Sequence, residues 1–329
     1  MNTLQLSASN PANIALAASL LRAGELVAMP TETVYGLAAN ALDPAAVARI
    51  FEAKGRPQDN PLIVHVYDAE QARQLVKAWP FTAQRLAEAF WPGPLTVILQ
   101  RADRLPGIVS AGLSTVALRV PAHPAAQALL RAAKIPLAAP SANKSGSPSP
   151  TLANHVFDDL NGKIAAVLDA GPCAVGVEST VLDLTGAIPC LLRPGGVSPA
   201  QIEATLGEKI TLAAAHTMEA PPSPGMKYKH YAPQAQLTLV HGPLQDFLAY
   251  AQREQPDGLL LFNSDVTDGW PVLRYGDTPE EQARRLFAVL REIDALGWSK
   301  VLVRAPSNEG LGLAVYNRLL RAASFREVN

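Results

Sequence analysis

The sequence has few of the features that would by themselves reveal a function. It contains only two cysteines, Cys173 and Cys190, which form no CxxC motif and are too few for a disulfide framework. We therefore expect two reduced thiols in a cytosolic protein. The net formal charge is only −1, so no overall field draws the protein to nucleic acid or to a membrane. A phosphate-bearing ligand would have to be held by local cations.

Long apolar runs and several well-known motifs are also missing. Runs such as Ile164–Leu168 and Gly258–Phe262 have the length of strands and fall far short of the about 20 residues of a membrane span. Met1 to Pro11 shows no basic stretch followed by an apolar core, so we expect no signal peptide, a cytoplasmic location and no membrane partner. There is no GxxxxGK[ST] loop, and no Ser-His-Asp or Cys-His set is evident.

What remains is the composition of a globular protein, with 48% hydrophobic and 17% charged residues. A chain of 329 residues is long enough for two packed domains or one large one. Helical and strand patterns alternate, which favours an α/β sheet with helical layers. The predicted helices include Asn10–Ala23, Pro44–Ala53, Ala83–Ala89 and Pro199–Leu206. The predicted strands include Leu26–Met29, Leu62–Val66, Leu95–Leu99, Val116–Val120, Leu137–Ala139 and Ala165–Leu168.

The composition changes between Ala213 and Pro233, where Ala, Pro, Ser and Gly dominate, as in a linker or an ordered loop. Strands and helices then resume, with a long helix opened by Thr278-Pro279-Glu280. We predict a first domain over residues 8–206, a linker over 207–235 and a smaller α/β domain over 236–329. The Gly310–Leu313 loop before the last helix either binds an anion or turns the chain, and we favour the turn.

Polar side chains collect where predicted strands end, which is where ligands bind in α/β sheets. Pro30–Leu37 places Thr33, a second threonine, an acid and a phenol directly after a strand. The alternative is a capped turn whose side chains satisfy backbone donors. Both interpretations remain open from this stretch alone.

Two cations straddle a glycine in Lys54-Gly55-Arg56, and Asn60 and His65 follow shortly after. Arginine offers a planar fork for phosphate or carboxylate, whereas lysine acts as a mobile point charge. A solvated basic helix end is the alternative, but the nearby prolines stiffen the segment and make that less favoured. A lone histidine such as His65 is more often structural than functional.

Ala139–Pro150 is dense in hydroxyls, amides and free backbone N–H groups, which can wrap phosphate oxygens. A flexible Ser/Pro linker is the alternative, although the strand leading into the segment argues against it. Three weaker signals are Gly176–Thr180, Leu191–Gly195, and the pair Thr115 and Arg119, which share one face of a strand.

The segment Ser223–Pro233 is unlike an inert tether, because it carries three rings and two lysines between proline clusters. Long loops without secondary structure are often lids. The composition therefore favours a lid over an inert tether.

Together these segments resemble the YrdC-type threonylcarbamoyl-AMP synthase family in its longer two-domain form. The resemblance rests on segments spread over most of residues 10–205, and in the tail on Ser223–Pro233 and Gly310–Leu319. One departure is Ala38-Ala39, where a glycine is expected at one position. The resemblance implies a YrdC-like twisted mixed sheet with helical layers and a smaller C-terminal Rossmann-like α/β domain.

The resemblance also implies the reaction. L-Threonine, bicarbonate and ATP would give threonylcarbamoyl-AMP and pyrophosphate, for modification of the tRNA adenosine next to the anticodon. Mg²⁺ would accompany the triphosphate, with no dedicated metal site on the protein. Downstream threonylcarbamoyl-transfer proteins are the implied partners, and double-stranded RNA is a further possible one.

Residue roles follow from the same resemblance, position by position. The residues implied to bind ATP are Lys54, Arg56, Asn60, Thr115, Ser141, Asn143, Ser149, Arg193 and Tyr231, of which Lys54 and Arg56 are the implied catalytic pair. The residues implied to bind threonine are Thr33, His65, Arg119, Ala139 and Ser179. Tyr228 and His230 would belong to the lid.

Two other functions compete with this interpretation. An RNA-binding module without chemistry is disfavoured by the near-neutral charge and by the lack of interleaved aromatic and basic residues in 1–205. A related carbamoyl-transfer domain with another acceptor would be expected to carry further catalytic or zinc-binding segments, and the sequence shows none.

Overall fold

The computed structural model describes residues 2–213 and 231–329. Strands and helices alternate through the first of these ranges. Its strands are β1 (Leu4–Ser7), β2 (Val27–Met29), β3 (Gly36–Asn40), β4 (Ile63–His65), β5 (Leu95–Gln100), β6 (Thr115–Arg119), β7 (Leu137–Ala138), β8 (Ala166–Asp169), β9 (Thr180–Asp183), β10 (Cys190–Arg193) and β11 (Thr211–Leu212). Its helices are α1 (Pro11–Arg22), α2 (Pro44–Lys54), α3 (Ala69–Arg73), α4 (Phe81–Phe90), α5 (Pro124–Ala133), α6 (Ala153–Leu160) and α7 (Pro199–Leu206), with a 3₁₀ turn at Gly107–Ser110.

These strands form one eleven-stranded mixed sheet in the order β1-β8-β2-β3-β7-β4-β6-β5-β9-β10-β11. The sheet contains parallel pairs such as β4 with β6 and antiparallel pairs such as β2 with β3. In the parallel β4–β6 pair, His65 lies beside Arg119. The register therefore brings a ring and a guanidinium group, 54 residues apart in the numbering, to the same edge of the sheet.

Helices cover both faces of this sheet because successive strand side chains point to opposite sides. Val27 and Met29 of β2 pack with α1 and α5, whereas Ala28 between them belongs to the core on the other face. A sheet buried on both faces keeps its central strands away from water. Polar groups at the strand ends are then the parts left to line a cavity.

The second described range builds a separate five-stranded sheet, entirely parallel, in the order β14-β13-β15-β12-β16. Its strands are β12 (Gln236–Val240), β13 (Gly258–Leu261), β14 (Val272–Arg274), β15 (Lys300–Arg304) and β16 (Glu327–Val328), and its helices are α8 (Leu244–Glu254), α9 (Pro279–Ala295) and α10 (Gly312–Ala322). Helix α8 packs on one face and α9 with α10 on the other. The predicted fold class, a mixed α/β sheet with a smaller α/β domain, is confirmed.

The two sheets share a core. Val34 and Val177, from loops of the first sheet, are buried in the same cluster as Phe287 of α9 and Leu319 of α10. The second sheet therefore packs directly against loops that follow β2 and precede β9.

Some elements differ from the sequence-based expectations. Strand β3 starts at Gly36, inside a stretch that the sequence predicts to be a turn. The sequence does not reveal this strand because Gly, Ala and Asn have low strand propensity. Helices α5 and α6 and the edge strand β1 were not predicted either. The domain limits 8–206, 207–235 and 236–329 stay a prediction, and strands β1 and β11 of the first sheet fall outside the first of them. Among the described helices, none has the length and apolar character needed to cross a membrane.

Candidate active site

A cavity opens where strands β4, β6 and β10 end, next to the loop that joins β2 to β3. The space between its walls, including the open mouth, is about 670 Å³. The lining residues are Thr31, Thr33, Val34, Gly36, Lys54, Arg56, Ile63, His65, Arg119, Ala139, Pro140, Ser141, Asn143, Ser145, Gly146, Glu178, Ser179, Arg193 and Tyr231. Segments that are remote in the sequence thus meet in one space.

Arg119 is held at the end of β6 by three separate groups. Its Nη1 donates to Thr33 Oγ1 at 2.9 Å, its Nε donates to the Gly93 carbonyl at 3.2 Å, and its Nη2 lies 2.7 Å from Glu32 Oε1. Burial raises the pKa of Glu32, but the charge and hydrogen bond of Arg119 outweigh it, and the pKa ends below its ordinary value. The arginine is therefore fixed in place as a cation beside Thr33, ready to meet a carboxylate.

His65 is the last residue of β4 and is 3% exposed. Burial, followed by the charge of Arg119, lowers the pKa of His65 to about 3. Its Nδ1 atom has no hydrogen-bond partner among the described residues. A buried polar atom without a partner costs free energy, so this neutral ring presents an unused hydrogen-bonding position next to Arg119.

Ser179 lies just before β9 and completes this part of the cavity. Its Oγ lies 2.8 Å from Thr96 Oγ1 and accepts from Arg193 Nη2 at 3.2 Å. Arg193 Nε also donates to the Ser179 carbonyl at 3.1 Å. Two buried residues, one on β5 and one on β10, thus fix the serine.

Lys54 ties the end of α2 to the loop that follows β7. Its Nζ donates to the Ser141 carbonyl at 2.5 Å and also to the Asn143 carbonyl, and Ser145 N donates back to the Lys54 carbonyl at 2.9 Å. Burial, with the charge of Arg56, holds the pKa of Lys54 well below its ordinary value. Gly55 ends α2 in the left-handed region at φ 60°, which turns the chain so that Lys54 and Arg56 both reach the cavity.

Arg56 lies across the Asn60–Pro61 backbone, with Nη2 at 3.4 Å from each of the two carbonyl oxygens. Asn60 is buried, and its Oδ1 has no hydrogen-bond partner among the described residues. These two residues lie close together, as the short spacing in the sequence suggested.

Ser149 and Glu178 meet at the back of the cavity, where Ser149 Oγ donates to Glu178 Oε1. The other oxygen, Oε2, pairs with Arg318 Nε of α10 at 2.9 Å. Burial alone would raise the pKa of Glu178. The charges of Arg318 and Arg193 outweigh this effect, so the pKa ends below its ordinary value. A charged carboxylate therefore stands beside the cavity with its own counter-ion.

The cavity brings together most of the residues predicted from the sequence. Those that line it are Lys54, Arg56, Ser141, Asn143, Arg193 and Tyr231 of the ATP set, and Thr33, His65, Arg119, Ala139 and Ser179 of the threonine set. Three predicted residues, Asn60, Thr115 and Ser149, are not in the lining. Asn60 and Ser149 contact lining residues directly. Thr115 is the first residue of β6, at the opposite end of that strand from Arg119. Tyr228 and His230 lie outside the described residues.

The site also contains residues that were not predicted individually, although each lies in a segment predicted to carry chemistry. They are Glu32, Glu178, Ser145 and Gly146. The first two were visible as acids in Pro30–Leu37 and Gly176–Thr180. What the sequence could not show is that each acid pairs with an arginine far along the chain.

The charges of the cavity favour a polyanion. Four of its lining residues are cationic types, Lys54, Arg56, Arg119 and Arg193, and the two acids beside them are each paired with an arginine. Within residues 2–213 and 231–329, no group of three or more His, Cys, Asp or Glu side chains is placed to hold a metal ion. The arrangement can therefore bind phosphates on one side and a small zwitterion beside Arg119 on the other.

Comparison with known families agrees with this layout. A family model described as "Telomere recombination" matches residues 19–195, and a second, described as "Threonylcarbamoyl-AMP synthase, C-terminal domain", matches residues 197–324. The threonylcarbamoyl-AMP synthase of Pyrococcus abyssi is 47% identical over 322 residues, which is 95% of this chain and 94% of that protein. The protein of the same name from Bacillus subtilis is 45% identical over 336 residues, covering 99% and 97% respectively.

The fold has solved relatives as well. The crystal structure of P. abyssi Sua5 complexed with L-threonine superimposes with a TM-score of 0.94 and 45% identity, over 100% of this chain and 99% of that one. The similarity therefore extends over both sheets.

Proposed function

The chain belongs to the threonylcarbamoyl-AMP synthase family, and we propose how its cavity performs the reaction. The protein is a nucleotidyltransferase-type enzyme that makes threonylcarbamoyl-AMP for the modification of tRNA. The observation that carries the assignment is the cavity itself, in which fixed cations lie next to Thr33, His65, Arg119 and Ser179. A relative of the same fold with L-threonine bound supports threonine as a substrate.

We place L-threonine between Arg119 and Ser179. Arg119 is a preorganised cation, and its planar fork suits the carboxylate of the amino acid. The free Nδ1 position of His65 and the hydroxyls of Thr33 and Ser179 supply hydrogen bonds for the amine and the side-chain hydroxyl. The backbone at Ala139, whose N–H is already taken by the Ile63 carbonyl at 2.9 Å, offers its carbonyl.

We place the ATP phosphates among Lys54, Arg56 and Arg193, with Ser141, Asn143 and Ser149 on the loop that Lys54 anchors. Asn60, Thr115 and Tyr231 complete the proposed ATP set. Mg²⁺ fits this site as part of the nucleotide, because the nearby carboxylates of Glu32 and Glu178 are already engaged by arginines. When bound, the ion would neutralise negative charge on the phosphates. Lys54 and Arg56 would be the catalytic pair that stabilises charge on the displaced pyrophosphate.

The reaction needs two bond-forming steps. The nitrogen of the threonine amine first attacks the carbon of CO₂, which bicarbonate supplies by losing hydroxide, and the nitrogen then gives a proton to water to leave a carbamate. A carbamate oxygen then attacks the α-phosphorus of ATP, the bond from that phosphorus to the bridging oxygen breaks, and pyrophosphate leaves. Positioning and charge neutralisation carry such a displacement without a covalent nucleophile on the protein.

The product is a reactive mixed anhydride, so water has to be kept out of the cavity. We propose that the segment around Tyr228, His230 and Tyr231 closes over the site, and that the product passes to tRNA-modifying transfer proteins. Tyr231, the described member of the three, is 5% exposed and lines the cavity. Direct contact with double-stranded RNA is a separate proposal, tested by measuring whether tRNA shifts in a gel with the purified protein.

The decisive experiment measures pyrophosphate release with ATP, bicarbonate and single amino acids. We expect release that depends on L-threonine and is much weaker with L-serine or L-valine, with formation of an adenylate whose mass increases when ¹³C-bicarbonate is supplied. Release that is independent of threonine contradicts the proposed threonine site. An unlabelled product contradicts the role of bicarbonate. Addition of EDTA should abolish release if Mg²⁺ accompanies ATP.

A further inference from the structure

Arg318 of α10 is fully buried although it is an arginine, with 0% exposure. Its side chain extends from this helix of the second domain and ends among loop residues of the first domain. Nε donates to Glu178 Oε2 at 2.9 Å, and Nη1 donates to the Pro194 carbonyl at 2.6 Å. Burying a charge requires a paired partner and hydrogen bonds, and the catalytic domain supplies both here.

The two points that Arg318 contacts flank the cavity residues. Glu178 immediately precedes Ser179, and Pro194 immediately follows Arg193. The segments also touch directly, because a Cβ atom on Gly195 would lie 2.2 Å from Thr180 N. One guanidinium group from the second domain therefore bridges the chain next to Ser179 and the chain next to Arg193.

The charges around this bridge create a conflict that Arg318 resolves. Glu178 lines a cavity proposed to receive a triphosphate, and its negative charge opposes a polyanion. Arg193 is a near neighbour, because it donates to the carbonyl and the hydroxyl of Ser179, the residue after Glu178, at 3.1 and 3.2 Å. Without another counter-ion, the buried carboxylate would be drawn to Arg193 and would compete with phosphate for it.

We propose that Arg318 is a positioning residue for the ATP step: it neutralises Glu178 from the second domain and so leaves Arg193 available to phosphate. This inference rests on the proposed function and adds a role for the C-terminal domain in it. Tyr231 strengthens the arrangement, because its ring lies 5.8 Å from the Arg318 guanidinium carbon and packs against Phe287 at 5.5 Å. Tyr231, which lines the cavity, therefore also packs against Arg318.

The test compares four full-length variants by their KM for ATP, their KM for threonine and their kcat. Arg318→Gln should raise the KM for ATP by about tenfold or more, since Glu178 then engages Arg193. The double variant Arg318→Gln/Glu178→Gln should return it to within about threefold of the wild type. Arg318→Lys keeps the charge and should lie between the two. A merely structural role of Arg318 would lower the unfolding temperature of Arg318→Gln and leave the KM for ATP unchanged.

Arg304→Gln is the matched control. Arg304 forms an ion pair with Asp265 at 3.2 Å and lies over the ring of Phe262, both within the second domain. The Arg304→Gln variant should have a lower unfolding temperature and an unchanged KM for ATP and for threonine. A wild-type-like KM for ATP in Arg318→Gln, or a double variant no better than the single one, overturns the proposal.

If Arg318→Gln does not fold, the double variant decides alone, and a strongly raised KM for ATP in it overturns the proposal. Failure of the proposed function is seen separately, because the wild type would then release no threonine-dependent pyrophosphate.

Discussion

The ammonium group of Lys54 lies 2.5 Å from the carbonyl oxygen of Ser141, 87 residues away in the sequence. This contact joins the end of a helix to the loop after β7, and it shapes the loop proposed to hold phosphate. Burial lowers the pKa of this lysine, so its charge is more easily lost than that of a lysine in water.

The first prediction concerns Lys54 and alkaline pH. Because its pKa is lowered, kcat/KM for ATP should fall with rising pH earlier than an ordinary lysine would allow, as the ammonium loses its proton. Lys54→Arg should remove this alkaline decline, since arginine stays charged. The measurement is the pH profile of kcat/KM for ATP from pH 7 to about 10. Identical profiles in the two proteins would exclude Lys54 as the titrating group.

The second prediction concerns Arg56. Arg56→Ala should cost about 2–4 kcal/mol of transition-state stabilisation, because one preorganised cation is lost from the phosphate side of the cavity. Arg49→Ala is the matched control, because Arg49 lies on α2, seven residues before Arg56, and pairs with Glu25 at 2.6 Å outside the cavity. Steady-state kcat/KM for ATP measures both variants. Activity near the wild type in Arg56→Ala would remove this residue from the site.

The third prediction is the contribution of His65 to acid stability. Its pKa is about 3 in the folded protein and close to 6.5 in the unfolded chain. Between these values the unfolded state binds more protons, so stability is complete above about pH 6.5 and falls towards pH 3, by up to about 1.4 kcal/mol per pH unit.

His65→Gln should lose this part of the acid dependence. The measurement is the free energy of unfolding in urea from pH 7 to pH 4 for both proteins, compared as a difference. His155 and His123 also have lowered pKa values and contribute equally to both curves. Parallel curves would mean that His65 does not titrate in this range.

The fourth prediction uses the close approach at Gly195. A methyl group there would meet Thr180 N at 2.2 Å and the Ser179 carbonyl carbon at 2.4 Å. Gly195→Ala should therefore lower stability by about 1–3 kcal/mol and weaken threonine binding through Ser179. Gly107→Ala, where no atom lies within 4 Å, is the matched control. Thermal unfolding and the KM for threonine report the two effects, and equal results for both variants contradict the proposed contact.

The sequence predicted the parts of the site better than their connections. His65, Arg119 and Arg193 are the last residues of β4, β6 and β10, and the carboxyl ends of parallel strands meet at one edge of a sheet, whereas Thr33 lies in the loop between β2 and β3. This rule needs no knowledge of the strand order. The pairing of Glu178 with Arg318, 140 residues apart, depends on how two domains dock, which no local pattern encodes.

The fold shows the same division. Helix α9 was predicted because its cap, first-turn proline and early acids are local signals, and the structure contains that capping box. Strand β3 was not predicted because its small residues have low strand propensity. They adopt the extended conformation because β3 pairs with β2 on one side and β7 on the other. Thr115 illustrates a third case, in which resemblance assigned a role and the cavity geometry does not include the residue.

The shared core around Val34 and Val177 has a consequence for how the protein denatures. Because Phe287 and Leu319 of the second domain cover these valines, separating the domains exposes apolar surface from both, and it also breaks the ion pair of Arg291 with Asp159 at 2.7 Å. The two domains should therefore melt as one cooperative unit, with a calorimetric enthalpy that matches the van't Hoff value for the whole chain.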